Sequence, residues 1–372
     1  MMKIYADENM PLVAEFFAHL GEVTLFNGRT VSPEQVADAE VLLVRSVTPV
    51  NAALLKPNKV LKFIGTATIG MEHIDQGYLA SRNISFSSAT GCNAQSVVEY
   101  VLSVLWYLAE KYQWQLSNKI LGIVGVGNIG QRLAEAAAAL NINVLLCDPL
   151  RAETERNFKH TPFNQLCRQA DIISFHTPMT KTGPMASWHL LNKDTLSLLK
   201  ADCALVNASR GAVIDNQALL HALQFQPRPV VLDVWEQEPD ILQALLPYLD
   251  IATAHIAGHS IEGKARGTAM LYQRLCQLLA VTPEQHLAAL LPVSAVTKVQ
   301  LSADFGLPDV QNLARLLYDV RRDDALFRYH IQGEGFDWLR KSYPPRREFS
   351  SLQLAGAKLP AWMAQLGFTS QE

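Results

Sequence analysis

At 372 residues with 49% hydrophobic and 18% charged side chains, the chain has the composition of a folded protein of two or three domains rather than a disordered one. Its formal net charge of −3 gives no electrostatic reason to expect nucleic acid or an anionic membrane as partner, so an anionic ligand must be met by locally placed cations. Five scattered cysteines (Cys92, Cys147, Cys167, Cys203, Cys276) have no metal-ligand spacing and suit a reducing compartment.

The opening Met1-Met2-Lys3-Ile4-Tyr5-Ala6-Asp7-Glu8 meets charge almost at once, and no apolar run approaches the roughly 18 residues that span a bilayer. A cytoplasmic protein without a secretory signal is expected. The first part of the chain alternates short apolar runs with helical segments. Lys3 to Ala6 reads as a strand, Met10-Pro11 as the opening of a helix reaching about His19, and Val23 to Phe26 as a second strand. Ser32-Pro33-Glu34-Gln35 reads as an N-cap and helix start. Val41 to Val44 and Leu61 to Ile64 are buried-strand candidates, running into Arg45-Ser46-Val47-Thr48 and Gly65-Thr66-Ala67-Thr68. This order implies a parallel sheet, whose ligands gather at the carboxyl ends of the strands.

A long helix is expected from Gln95 to about Tyr112. The stretch after it organises the chain: an apolar run (Ile120, Leu121, Ile123, Val124), Gly125-Val126-Gly127-Asn128-Ile129-Gly130, an Ala-rich helical segment to Leu140, and Val144 to Asp148. Gly125 permits the tight strand-to-helix turn, Gly127 admits a pyrophosphate close to the backbone, and Gly130 lets helix and strand pack. The helix start at Asn128 and Ile129 offers free N–H groups to phosphates. Asp148 lies 18 residues beyond Gly130, where a carboxylate binds both hydroxyls of a ribose and repels a 2′-phosphate. NAD is therefore expected over NADP, with Arg151 nearby as the one residue that could soften the choice.

Strands are expected again at Ile172 to Phe175, Ala204 to Asn207, Val230 to Asp233 and Ile251 to Thr253, and a helix from Ser260 to about Ala280 that returns to the first domain. The fold class is α/β: two doubly wound, Rossmann-like parallel-sheet domains plus a small C-terminal α+β domain. The boundaries are 1–93 with 260–282 for a substrate-binding domain, 94–259 for the NAD domain and 283–372 for a C-terminal domain expected to join subunits. In that last part Arg346 and Arg347 read as charge available across a dimer interface.

Three residues stand at strand ends on the side where a nicotinamide would lie: Arg210, Glu238 and His255. Oxidising a 2-hydroxy acid needs a base for the hydroxyl proton, a fixed cation for the carboxylate and a hydride acceptor. His255 can be the base, Glu238 can orient it and favour its charged form, and Arg210 can grip the carboxylate. No His/Cys set has zinc-ligand spacing, so no metal is expected. Taken singly, each of the three also reads as an ordinary ion-pairing, loop or packed residue.

The ordered motifs Gly125-x-Gly127-x-x-Gly130, Asp148, His176-Thr177-Pro178, Asn207-x-x-Arg210-Gly211, Asp233-Val234-x-x-x-Glu238-Pro239 and His255-Ile256-Ala257-Gly258 strongly resemble the D-isomer-specific 2-hydroxyacid dehydrogenases over about residues 1 to 280. The resemblance implies that Arg210, Glu238 and His255 are catalytic and that Asp148, Thr177 and Asp233 contact NAD, with Asn207, Ala208, Ser209, Arg210 and Gly258 among the cofactor contacts. It implies further that Ser46 and Thr68 bind substrate, and that the C-terminal domain makes a homodimer with the active site between two doubly wound domains. Where a substrate-contacting Tyr is expected, the chain has His259. Arg45 with the Ser46 and Thr68 hydroxyls would suit a phosphorylated hydroxy acid, although Arg45 reads equally as a strand-end salt bridge. Another hydroxy acid, such as 3-phosphoglycerate or an unphosphorylated one, and an NAD(H)-sensing protein without turnover are the alternatives.

Overall fold

The computed structural model describes residues 1–356 and 360–370, so the final two positions of the expected C-terminal domain, and 357–359 within it, lie outside the described residues. The chain forms two compact units, Met1–Asn93 with Ser260–Val293, and Ala94–His259 with Ser294–Glu372.

In the first unit, β1 (Met2–Asp7), β2 (Gly21–Phe26), β3 (Val41–Val44), β4 (Phe63–Thr66) and β5 (Ser85–Ser88) form an all-parallel sheet in the order β2-β1-β3-β4-β5. Every residue of β3 and β4 is buried, as expected of strands covered on both faces. One cover is the helix Ile261–Leu279, whose cap Ser260 accepts a hydrogen bond from Gly263 N–H at 2.8 Å. Its Leu271, Tyr272, Leu275 and Cys276 join Ile4, Ala6, Phe16 and Phe17 in one apolar cluster. It packs tightly enough on β4 that a Cβ at Gly65 would lie 2.9 Å from Leu271.

Three local expectations shift. The helix after Pro11 is only Val13–Phe17, because Leu12 adopts a left-handed φ of 59° and delays its start. Ser32 and Gln35 make the reciprocal bonds of a capping box, Ser32 N–H to Gln35 Oε1 at 2.8 Å and Gln35 N–H to Ser32 Oγ at 3.4 Å, yet only turns follow. Glu40 already bonds the Lys3 carbonyl at 2.9 Å, so too few residues separate the cap from β3 to propagate a helix. β4 begins two residues after Leu61, because Phe63 to Thr66 are the residues that pair with Val41 to Val44.

In the second unit, β6 (Ile120–Val124), β7 (Asn143–Cys147), β8 (Ile172–Phe175), β9 (Ala204–Asn207), β10 (Val230–Leu232) and β11 (Ile251–Ala252) form a parallel sheet in the order β11-β10-β9-β8-β6-β7. The order reverses beside β6, which makes the carboxyl end of that strand the switch point where such sheets bind ligands. The helix Ala94–Tyr112 is buried along most of its circumference. It lies in one continuous apolar cluster that holds Leu121, Ile123 and Val206 of the sheet together with Val310, Tyr318, Phe349, Leu354 and Leu366 of the C-terminal segment. That segment adds its own small parallel sheet, β12 (Lys298–Gln300), β13 (Gln353–Ala355) and β14 (Thr369–Ser370). No helix among the described residues is long and apolar enough to cross a membrane.

Candidate active site

The glycine loop follows β6. Gly125 has φ +86°, and a Cβ there would lie 2.8 Å from the His176 carbonyl group, so strand and neighbouring loop meet only because the side chain is absent. A Cβ at Gly130 would lie 2.0 Å from the Gly125 carbonyl oxygen, which ties the helix Asn128–Ala139 closely to the turn. At Gly127 a Cβ would meet nothing within 4 Å, leaving open space at the helix N-terminus. Asp148 directly follows β7 and faces this loop. Its Oδ2 accepts Val126 N–H at 2.8 Å and its Oδ1 accepts Arg151 N–H at 3.0 Å, capping the helix Pro149–Thr154. The Arg151 guanidinium is held by Glu155 (2.7 Å), the Val126 carbonyl (2.9 Å) and Gln131 Oε1 (2.9 Å). The cation that could have welcomed a 2′-phosphate is thus already committed.

Two polar atoms just beyond β8 are placed to meet a ligand. Thr177 Oγ1 and His176 Nδ1 are buried and without a hydrogen-bond partner among the described residues. Burial pushes His176 down to about 3, so its ring is neutral, with Nε2 2.9 Å from Ser174 Oγ. The open helix N-terminus, the orphaned Thr177 hydroxyl and the Asp148 carboxylate are what a dinucleotide requires. The Asn207 side chain accepts from Ser209 N–H (3.1 Å) and Ser209 Oγ (2.9 Å) and donates to the Arg210 carbonyl (3.0 Å), folding the 207–210 loop on itself.

The expected catalytic residues stand on three adjacent strand ends, since β9 pairs with β10 and β10 with β11. His255 Nδ1 and Glu238 Oε2 are 2.8 Å apart. Glu238 is itself fixed through Oε1, which accepts Trp235 N–H at 2.8 Å. The Trp235 indole in turn donates to the Thr253 carbonyl at 2.9 Å. Asp233 holds the loop after β11: it accepts from the Thr253 hydroxyl (2.7 Å), Ile256 N–H (2.8 Å) and Ala257 N–H (3.0 Å), while its carbonyl accepts His255 N–H at 2.6 Å. Burial raises the Asp233 carboxyl above its usual range, against the opposing pull of His255 and these donors. His255 adopts a left-handed φ of 56°, a conformation that a side-chain-bearing residue keeps only when its surroundings enforce it. Arg210 follows β9 and donates from Nη1 to the Ser209 carbonyl at 2.8 Å.

In the first unit the expected substrate residues also occupy strand ends. Arg45 Nη1 lies 4.0 Å from Asp7 Oδ1 at the ends of β3 and β1, so it has the strand-end ion pair that its position suggested. Ser46 is exposed. Thr68 Oγ1 is 2.7 Å from Thr66 Oγ1 and donates to the Gly70 carbonyl at 3.1 Å. In the second unit, His259 packs edge-on to Tyr343 of the C-terminal segment with ring centroids 5.8 Å apart, and the Tyr343 hydroxyl donates to Asp323 Oδ2 at 2.7 Å.

Several residues that hold the site were not legible in the sequence. Trp235 and Thr253 lie inside the motifs and could have been suspected from their place next to Asp233 and His255. Arg346 gave no such signal. Expected as interface charge, it is buried with 1% exposure, and Arg347 is half-buried. His189, Asp215 and Glu236 form a separate constellation whose ligand atoms lie within 4.8 Å of one another. Its members are engaged with each other and the backbone: Glu236 meets His189 Nε2 (2.7 Å) and Asn216 N–H (2.9 Å), and Asp215 accepts Ala218 N–H (2.9 Å) at a helix start.

A family model described as the D-isomer specific 2-hydroxyacid dehydrogenase NAD binding domain matches residues 93–257, and one described only as a domain of unknown function matches residues 290–367. The chain belongs to the D-isomer-specific 2-hydroxyacid dehydrogenases, which are NAD-dependent oxidoreductases. Within that family, it is 49% identical to a protein of Pseudoalteromonas translucida over 99% of both chains, and 50% identical to one of Tolumonas auensis over 99% of both. Each of these is named erythronate-4-phosphate dehydrogenase. Among solved structures, an NAD-bound 3-phosphoglycerate dehydrogenase of Entamoeba histolytica shares the fold with a TM-score of 0.63 at 20% identity, over 75% of this chain and 95% of that one.

Proposed function

We propose that the protein oxidises C2 of 4-phospho-D-erythronate to (R)-3-hydroxy-2-oxo-4-phosphooxybutanoate, a step of pyridoxal 5′-phosphate biosynthesis. The observation that carries the mechanism is the 2.8 Å contact between His255 and Glu238 on a dinucleotide-binding sheet. With Nδ1–H donated to Glu238, the His255 Nε2 lone pair is left to take the C2 hydroxyl proton, and the carboxylate stabilises the imidazolium that results. Arg210 holds the substrate carboxylate and polarises the oxygen at C2. Bound NAD supplies the hydride acceptor for C2. Asp148 would hold its adenosine ribose, the Gly127 to Gly130 turn its pyrophosphate, and Thr177 and Asp233 its nicotinamide end. Arg45, Ser46 and Thr68 are proposed to bind the phosphate, with His259 as a further substrate contact.

The support for the substrate is the full-length similarity to proteins carrying that name. We also propose a cytoplasmic homodimer joined through the C-terminal segment. In support, all five cysteines are free and buried, and Tyr329 and Trp338 in that segment are exposed beside the His330 ring. The test is NADH formation with 4-phospho-D-erythronate beside D-3-phosphoglycerate and D-lactate, with 2-oxo acid reduction run as a control against an unfavourable equilibrium. Preference for the four-carbon phosphate supports the assignment. Preference for another acid removes the substrate and leaves the catalytic residues standing. Light scattering gives the oligomeric state.

A further inference from the structure

We propose that Arg346, in the C-terminal segment, is a positioning residue for the catalytic histidine: its guanidinium fixes the Ala257 carbonyl and thereby the loop that presents His255. The inference rests on the reading of His255 as the base. Arg346 Nη1 donates to the Ala257 carbonyl at 3.1 Å and Nη2 to the Ser96 carbonyl, in the first turn of the helix Ala94–Tyr112, at 2.7 Å. Its plane is seated on the Tyr318 ring, with Cζ 3.5 Å from the centroid, and Nη2 lies 3.9 Å from Glu99 Oε2. The side chain is 0% exposed, so these carbonyls are not competing with water for the cation.

The geometry explains why a cation is kept there. His255 sits at φ 56°, a left-handed conformation that a residue bearing a side chain keeps only when it is held from outside. Asp233 holds one side of the loop through Ile256 N–H and Ala257 N–H. Arg346 holds the other, through the carbonyl of the same Ala257. The peptide groups after His255 are thus gripped between a buried carboxylate and a buried guanidinium. A guanidinium fits because it must reach two carbonyls at once in a fixed plane, while a lysine ammonium lacks the fork.

The same segment supports Glu238. Phe327 stacks on Trp235 at 5.6 Å and 5°, and Trp235 N–H is the donor that fixes Glu238. Asp324 accepts Ala252 N–H at 2.8 Å, and Arg328 donates to the Leu246 and Leu249 carbonyls at 3.0 and 2.8 Å, pinning the chain on the approach to β11 and the strand itself. The C-terminal segment therefore forms the back wall of the His255 and Glu238 pair, a role separate from subunit association.

The test compares wild type, Arg346→Lys, Arg346→Met and His255→Ala in the full chain. Thermal unfolding checks the fold, and turnover is expressed per NADH-binding site counted by fluorescence titration. Arg346→Met removes both guanidinium hydrogen bonds, and loss of the one that holds Ala257 predicts a fall in kcat of about 10- to 100-fold, with KM for the hydroxy acid changed less than about threefold. Arg346→Lys, which keeps the charge but lacks the fork, is expected to lose about 3- to 10-fold in kcat. A role confined to stability would lower the number of folded sites and leave kcat per site unchanged. A kcat per site within about twofold of wild type in either folded variant overturns the proposal, and if Arg346→Met fails to fold, Arg346→Lys carries the test by that same threshold. Full turnover in His255→Ala would instead sink the reading of the base, whatever Arg346 does.

Discussion

Glu238→Gln is expected to impair oxidation at least as much as Glu238→Ala, although glutamine is closer in shape to the native residue. The reason lies in how each carboxylate oxygen is used: Oε1 accepts Trp235 N–H at 2.8 Å and Oε2 faces His255 Nδ1 at 2.8 Å. A glutamine that keeps its oxygen on Trp235 must turn its NH2 toward Nδ1. That ring nitrogen then has to accept, so the proton moves to Nε2 and blocks the atom that should take the substrate proton. The opposite amide orientation sets two donors against each other at Trp235, a penalty of about 1–3 kcal/mol. Loss of the charge-assisted bond to the imidazolium is worth about 1.5–3 kcal/mol, or roughly 10- to 150-fold in rate, and applies to both variants. The tautomer penalty falls on glutamine alone. The assay is kcat/KM for hydroxy acid oxidation followed by NADH absorbance, with single-turnover measurements to set aside slow product release. Glutamine clearly faster than alanine would refute the tautomer argument, and alanine within about threefold of wild type would refute the charge-assisted role of Glu238.

The glycine loop separates folding from binding. Gly127→Ala should fold with a loss of about 1 kcal/mol or less, because its Cβ meets nothing within 4 Å, yet should weaken NADH binding in a fluorescence titration. Gly130→Ala drives a Cβ to 2.0 Å from the Gly125 carbonyl oxygen and should cost about 3 kcal/mol in urea unfolding. Asp148→Ala should raise the NAD dissociation constant about 10- to 100-fold and narrow the preference over NADP; an unchanged NAD to NADP ratio would remove Asp148 from cofactor selection. His176 sets an acid dependence of stability. Its folded value is depressed from 6.5 to about 3, so the unfolded chain binds the extra proton between these values. Its contribution is complete above 6.5 and is lost as pH falls through that window, on the order of 4 kcal/mol near pH 3. His176→Gln should flatten the stability profile there, and a variant whose profile parallels wild type would refute the assignment.

What could be read ahead of the structure was the placement of candidate groups at short sequence separations. The turn from β6 into Gly125, the acid after β7, and Arg210, Glu238 and His255 after β9, β10 and β11 follow from one rule, that parallel strands present their carboxyl ends to ligand. An apolar run followed by polar residues marks such an end without knowledge of the sheet order. The same local reasoning failed wherever the deciding partner was distant or the backbone took an unusual turn. Ser32 and Gln35 form a convincing cap, and the pairing that fixes Glu40 against Lys3 leaves no room for the helix. Leu12 delays its helix through a left-handed φ that no propensity would assign to leucine. Arg346 looked like interface charge from its charge alone, yet its acceptor at Ser96 lies 250 residues away. The division has a physical basis. A reacting group needs only the right side chain at a strand end, which local sequence specifies. Its orientation must resist strain, here at His255, and that resistance comes from packing contributed by distant parts of the chain. Residues of the second kind are therefore found by asking which buried polar groups hold the backbone beside the chemistry, and in this protein Asp233 and Arg346 answer from opposite sides of Ala257.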